Sequence, residues 1–175
     1  MTSKGTLAAI LNGIAAQRDR EAVRNALSPI VDRFSSMALS SAGLAIKAGS
    51  SAIVKTGATD QYLIANGIMR KITAATDMAA LSGTVSNATF NAYSFFIDSA
   101  GTVTSQMGTA GATLVTMKLA PQPQGKALIG FVIINPTGTG DFVGGTTALD
   151  DGTVTPTAVY VNPVGPFDSS FLLGF

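Results

Sequence analysis

The stretch 61–72, QYLIANGIMRKI, decides the fold. Two apolar runs, Gln61–Ala65 and 68–73, flank Asn66-Gly67, a pair whose members both tolerate positive φ. Such a pair between apolar runs predicts a two-residue β-hairpin, because its backbone twist matches that of the strands it joins. Outward from this hairpin the pattern repeats. Leu44, Ile46 and Ala48 alternate with Ala45, Lys47 and Gly49, the period of a half-buried strand, and 52–56 is a second short candidate. Further strands are expected at 89–98 and 102–106, joined by Ser99-Ala100-Gly101, and then at 113–119, Ala127–Ile134 and 157–161. Residues 76–81 could form one helical turn closed by Gly83. Turn signals about every ten residues are the spacing of an antiparallel β-sandwich or small barrel.

The N-terminal part has a different period. Leu7, Ile10, Leu11 and Ile14 fall at i, i+3, i+4 and i+7, one face of a helix, with Ser3 or Thr6 as cap. Lys4 followed by 7–16 has the outline of a short signal peptide, but Asn12 and Gly13 interrupt its apolar region, which favours the helix. A second helix is expected over 19–27, with Ala22, Val23, Ala26 and Leu27 on one side and Arg18, Arg20, Glu21 and Arg24 on the other. Ser28-Pro29 then reads as N-cap and first helical position of a third, short helix through Ile30, Val31 and Phe34. The chain thus divides into a helical arm, 1–34, a small-residue hinge, 35–43 (SSMALSSAG), and a β-rich body, 44–175.

Composition limits what this mainly β protein can do. Of 175 residues, 46% are apolar, an ordinary share, yet only 12% are charged, about half the usual 25%. The deficit is uneven: residues 1–71 hold nine basic and four acidic residues, and 72–175 hold two and six. Arm and hairpin are therefore positive and the rest negative, an asymmetry that can orient a subunit on a partner. There is no Cys and no His, which removes thiolate and imidazole chemistry, both as nucleophile or base and as metal ligand. The longest apolar run, Ala127–Ile134, is far short of the ~20 residues that cross a bilayer, and a net charge of +1 gives no footprint for nucleic acid. Neither membrane nor nucleic acid is expected as a partner.

Motifs that suggest chemistry fail on spacing. Gly138, Gly140, Gly144 and Gly145 resemble a phosphate loop, but the third glycine of a dinucleotide fingerprint comes one residue late, no helical pattern follows, and no Lys-Ser/Thr pair is present. Asp141, Asp150 and Asp151 lie in turn contexts without the spacing of a calcium loop. No pair of acids is nominated for glycoside cleavage, and no serine has a histidine to activate it. No catalytic, cofactor-binding or metal-ligating residue is nominated, and the chain reads as a structural protein rather than an enzyme. Two aromatic groups remain. Phe90, Tyr93, Phe95 and Phe96 share one strand, with Tyr93 and Phe95 on one face and Phe96 on the other, so that strand is expected to be buried on both sides. At the C-terminus Phe167, Phe171, Leu172, Leu173 and Phe175 must be covered, by the chain's own core or by a neighbour.

The stretches NAYSFFIDSAGTVTSQMGTAGATLVTMKLAP (91–121) and GKALIGFVIINPTGTGDFVGGTTALDDGTVTPTAVYVNP (125–163), with the preceding hairpin, resemble a family of small tailed-bacteriophage virion proteins of the head-fibre and decoration type. The likeness spans roughly residues 53–171 and rests on strand and turn phrases; the helical arm departs from it. The resemblance implies a homo-oligomer, commonly a trimer, located in the virion and bound to the major capsid protein or another virion protein. The expectation is a capsid decoration (cement) or head-fibre subunit, the alternative being a tail or fibre module that binds a host receptor or glycan. The candidate anchoring and interface residues are Leu7, Ile10, Leu11, Ile14, Arg18, Arg20 and Arg24 in the arm, and Phe167, Phe171, Leu172, Leu173 and Phe175 at the end.

Overall fold

In the computed structural model, which describes residues 17–167, the expected hairpin is present. Strands β4 (Gln61–Ala65) and β5 (Ile68–Ile72) pair antiparallel, from Gln61 opposite Ile72 to Ala65 opposite Ile68. Asn66 and Gly67 close it with φ of 50° and 77°, the two left-handed residues that such a turn requires. β1 (Met37–Ala38) adds to the other side of β4, giving a three-stranded sheet in the order β1-β4-β5. The segment expected as a hinge, 35–43, therefore carries a strand, and Ser36, Ala38 and Ala42 within it are buried.

The second main sheet has four strands in the order β11-β9-β7-β8: β7 (Asn91–Ile97), β8 (Val103–Met107), β9 (Ala127–Ile134) and β11 (Val159–Val161), all antiparallel. Two short ribbons complete the body, β2 (Ala45–Ile46) with β3 (Val54–Lys55) and β6 (Thr84–Val85) with β10 (Phe142–Val143). The architecture is mainly strand, in several antiparallel sheets, with one short helix towards the N-terminus. It is not a closed barrel, which corrects the barrel half of the expectation.

All seven residues of β7 are buried, as the aromatic pattern implied. Tyr93, Phe95 and Ile97 enter the larger core, shared with Leu63 and Ala65 of β4, Leu44 and Val54; Ala92 and Phe96 enter a smaller core on the opposite face with Leu119, Ala120, Leu128 and Phe131. Gln61, wholly buried, ties the sheets together: its side-chain amide donates to the carbonyls of Ser40 and Ile129, each at 3.3 Å. Strand β9 serves both cores by alternation, re-phased at a bulge. Phe95 pairs with Gly130 but Phe96 with Leu128, leaving Ile129 as the extra residue. The insertion shifts the alternation by one, so that Val132 and Ile134 return to the larger core and Phe131 faces the smaller one.

Three local expectations are overturned. Residues 113–119 are not a strand: Thr113 and Thr116 close a local turn through backbone and hydroxyl hydrogen bonds of 3.0–3.3 Å, and only Lys118 pairs, with Thr109. Threonine's preference for the sheet yields here to side-chain bonding with its own backbone. Residues 76–81 form no helical turn; Asp77 instead bridges to Lys55. The second and third helices are one, α1 (Gln17–Ser35), which runs through Pro29. A proline removes one i to i−4 hydrogen bond, but an element continued on both sides tolerates that loss.

Candidate interaction surface

The acidic side chains of the body are engaged in holding turns. Asp98 accepts from the backbone N–H groups of Ala100 and Thr102, both at 2.9 Å, and the Thr102 bond above all holds its carboxyl below the ordinary value of 3.8. Asp60 accepts from Lys71 Nζ and from the Ala74 N–H, both at 2.9 Å; the lysine contact lowers its pKa most. Asp150 receives the Ser50 N–H, Asp151 receives those of Thr153 and Val154, Asp141 receives that of Asn87, and Asp77 pairs with Lys47. Each carboxylate serves a different corner of the fold. Among the described residues no three acids gather where a metal ion could sit, and no helix is long and apolar enough to cross a membrane. The glycine-rich stretch is a loop laid along 153–155: Thr137, Gly138 and Thr139 donate their N–H groups to the carbonyls of Thr155, Val154 and Thr153. The amide of Asn87 donates to the carbonyls of Gly138 and Gly140. The N–H groups of 137–139 are thus paired in a ladder rather than turned together as a phosphate nest.

Helix α1 is placed differently from a core helix. Its C-terminal end is fixed to the body. Ser35 O accepts from the Gly67 N–H at 2.8 Å, Ser36 Oγ from the Asn66 N–H at 3.0 Å, and Ser36 O from Gln122 Nε2 at 3.2 Å. The edge that lines a cleft against the body is polar, Asn25, Ser28 and Asp32 opposite Gln124, at the i, i+3, i+7 spacing of one helix face. The opposite stripe is Val23, Leu27, Ile30 and Phe34. Ile30 and Phe34 are 53% and 57% exposed, and Val31 beside them 50%. Val23 and Leu27 are half-buried, so the stripe is open to solvent in its C-terminal half, and Asn25 and Ser28 on the polar edge are exposed as well.

A second apolar surface lies on the outer face of the β1-β4-β5 sheet. Met37, Ile64 and Met69 form a cross-strand row, and Met69 is exposed, as are Leu39 and Tyr62 nearby. The inner face of the same sheet is covered by the larger core; its outer face is not.

Of the residues singled out from the sequence, Arg18, Arg20 and Arg24 lie on α1, with Arg24 exposed and Arg20 half-buried. Phe167 stacks on Phe131, ring centroids 6.0 Å apart, and joins the smaller core. For this residue the open choice between its own core and a neighbour falls to its own core. Leu7, Ile10, Leu11, Ile14, Phe171, Leu172, Leu173 and Phe175 lie outside the described residues. What sequence reading missed is the Val23-Leu27-Ile30-Phe34 stripe, which Ser28-Pro29 divided between two expected helices. Its 4-3-4 spacing was the available signal. Comparison of the chain with protein-family models, with curated proteins and with solved structures finds no match in any of the three.

Proposed function

We propose that this protein is a structural subunit of a bacteriophage virion, a capsid decoration or head-fibre protein that self-associates and binds the assembled shell. The observation that carries this reading is α1, which gives no residue to the buried cores of the described chain while its Ile30, Val31 and Phe34 stay exposed. A monomer gains nothing from that arrangement, whereas a subunit of a larger assembly buries the stripe on binding. The charge-poor body and the open apolar face of the three-stranded sheet support it further, since permanent interfaces are depleted in charge and resemble a core cut in half. The likeness of 91–121 and 125–163 to virion proteins gives the assembly its class. Function would then be mass action: a subunit that binds only the assembled shell adds its binding free energy to that state.

Cosedimentation separates this from a host-binding fibre module, whose contacts would come from the exposed residues Thr137, Thr139 and Asp141. The purified protein is expected to pellet with mature shells and to leave host cells unlabelled. Cell binding without shell binding would overturn the proposal in favour of that module.

A further inference from the structure

We infer that α1 is the self-association element of this protein, forming a parallel bundle of three or more copies through Val23, Leu27, Ile30 and Phe34. The inference rests on the self-association part of the reading above and names its surface. Apolar residues four, three and four apart are the seam of a coiled coil, and this order admits one heptad assignment: Val23 and Ile30 at d, Leu27 and Phe34 at a. A seam of this kind fits another copy of itself better than a flat surface, because each knob needs a hole made by four residues of a facing helix.

The occupant follows from three features. First, a 19-residue helix with an internal proline that contributes no residue to the buried cores, and leaves Ile30 and Phe34 exposed, lacks much of the packing from which helices draw their stability, and a bundle supplies it. Second, the flanking positions carry opposite charge, Asp19 at g and Arg24 at the following e, the arrangement that favours parallel neighbours. Third, β-branched Val23 and Ile30 at d with Leu27 at a disfavour a two-stranded coil, which prefers leucine at d, and shift the preference to three or four strands. Copies related by one cyclic axis are parallel by symmetry, with their bodies at the same end, where Ser36 joins each helix to its sheet. Arg20, one heptad before Leu27, ends the seam on its N-terminal side.

The test is the mass of the full chain in solution by sedimentation equilibrium. Three or four chains per particle are expected. Leu27→Asp combined with Ile30→Asp should reduce the mass about three- to fourfold, to the monomer, while the near-ultraviolet signal of the body is kept. The chain has no cysteine, so Ile30→Cys and, separately, Val23→Cys provide a second readout: oxidation should link copies at each position, whereas an antiparallel pair can bring only the one at its centre together. A monomeric or dimeric native chain would overturn the proposal. So would an oligomer that survives the double substitution, or failure of Ile30→Cys or Val23→Cys to crosslink. A native monomer that associates only after removal of residues 1–16 would show that the chain's own N-terminus covers the stripe, and would overturn it too. Shell binding by a monomer would keep the functional reading and sink this one; an oligomer that ignores shells would do the reverse.

Discussion

Gly130 shows how much one missing side chain can decide. A β-carbon there would stand 2.7 Å from both Leu44 Cδ1 and the Val161 carbonyl oxygen, at the bulge that re-phases β9. Gly130→Ala is expected to destabilise the body by about 2 kcal/mol, the scale of overpacking in a closed core, and urea unfolding measures it. Tyr93 shows a second residue effect. Its hydroxyl donates to Gly83 O at 3.1 Å, its ring meets Phe142 edge-on at 6.2 Å, and burial pushes its pKa from 10.0 up to about 12. The raised value means that the folded form holds its proton longer than the unfolded chain. The corresponding stability is complete below pH 10 and is lost as pH rises from there towards 12. Alkaline unfolding in that window, followed by circular dichroism, should be blunted in Tyr93→Phe. The depressed carboxyls of Asp60 and Asp98 have the opposite sign: their contribution is complete above the ordinary value of 3.8 and is lost as pH falls through the lowered one. Asp98→Asn should remove part of that acid dependence. Little of this was legible beforehand. Asp98 was recognisable as a turn residue, but the partners of Tyr93 and Gly130 come from strands and loops remote in sequence.

At the scale of elements, legibility followed the range of the determining forces. The β4–β5 hairpin was readable because its turn chemistry is local: Asn66 and Gly67 must both take positive φ, and few other pairs do so cheaply. Replacing both with alanine is expected to cost roughly 2 kcal/mol or more, measured by thermal unfolding, with the paired ends of β4 and β5 the first amides to gain hydrogen exchange. Strands β7 and β9 were readable from apolar runs too short for a membrane and too β-branched or aromatic for a helix. Residues 113–119 failed because hydroxyl bonding inside a turn competes with a ladder that the threonine content favoured. Helix α1 failed at Pro29, where a local rule for helix starts met an element continued from both sides.

At the scale of the molecule, α1 stands outside the core of the body. Among the described residues the buried apolar set begins at Ala38 and contains nothing from α1. Deleting residues 1–34 is therefore expected to leave the body's melting temperature within about 4 °C of the full chain, the shift that ~1 kcal/mol makes in a domain of this size. A body that unfolds instead would assign the arm to its core. What the amino-acid sequence determined by itself was the class of structure: strands at ten-residue spacing, a hairpin set by Asn-Gly, a helical period near the N-terminus, and a charge deficit concentrated after residue 71. These depend on periodicity and on backbone preferences that each short segment carries alone. Only the tertiary structure decided that the sheets stay open rather than close into a barrel, that β9 is re-phased at a bulge, that Phe167 packs on the chain's own core, and that Ile30 and Phe34 of α1 stay exposed. Each of those is set by which surfaces meet across long sequence separations, and amphipathic periodicity records that a face is apolar without recording what covers it.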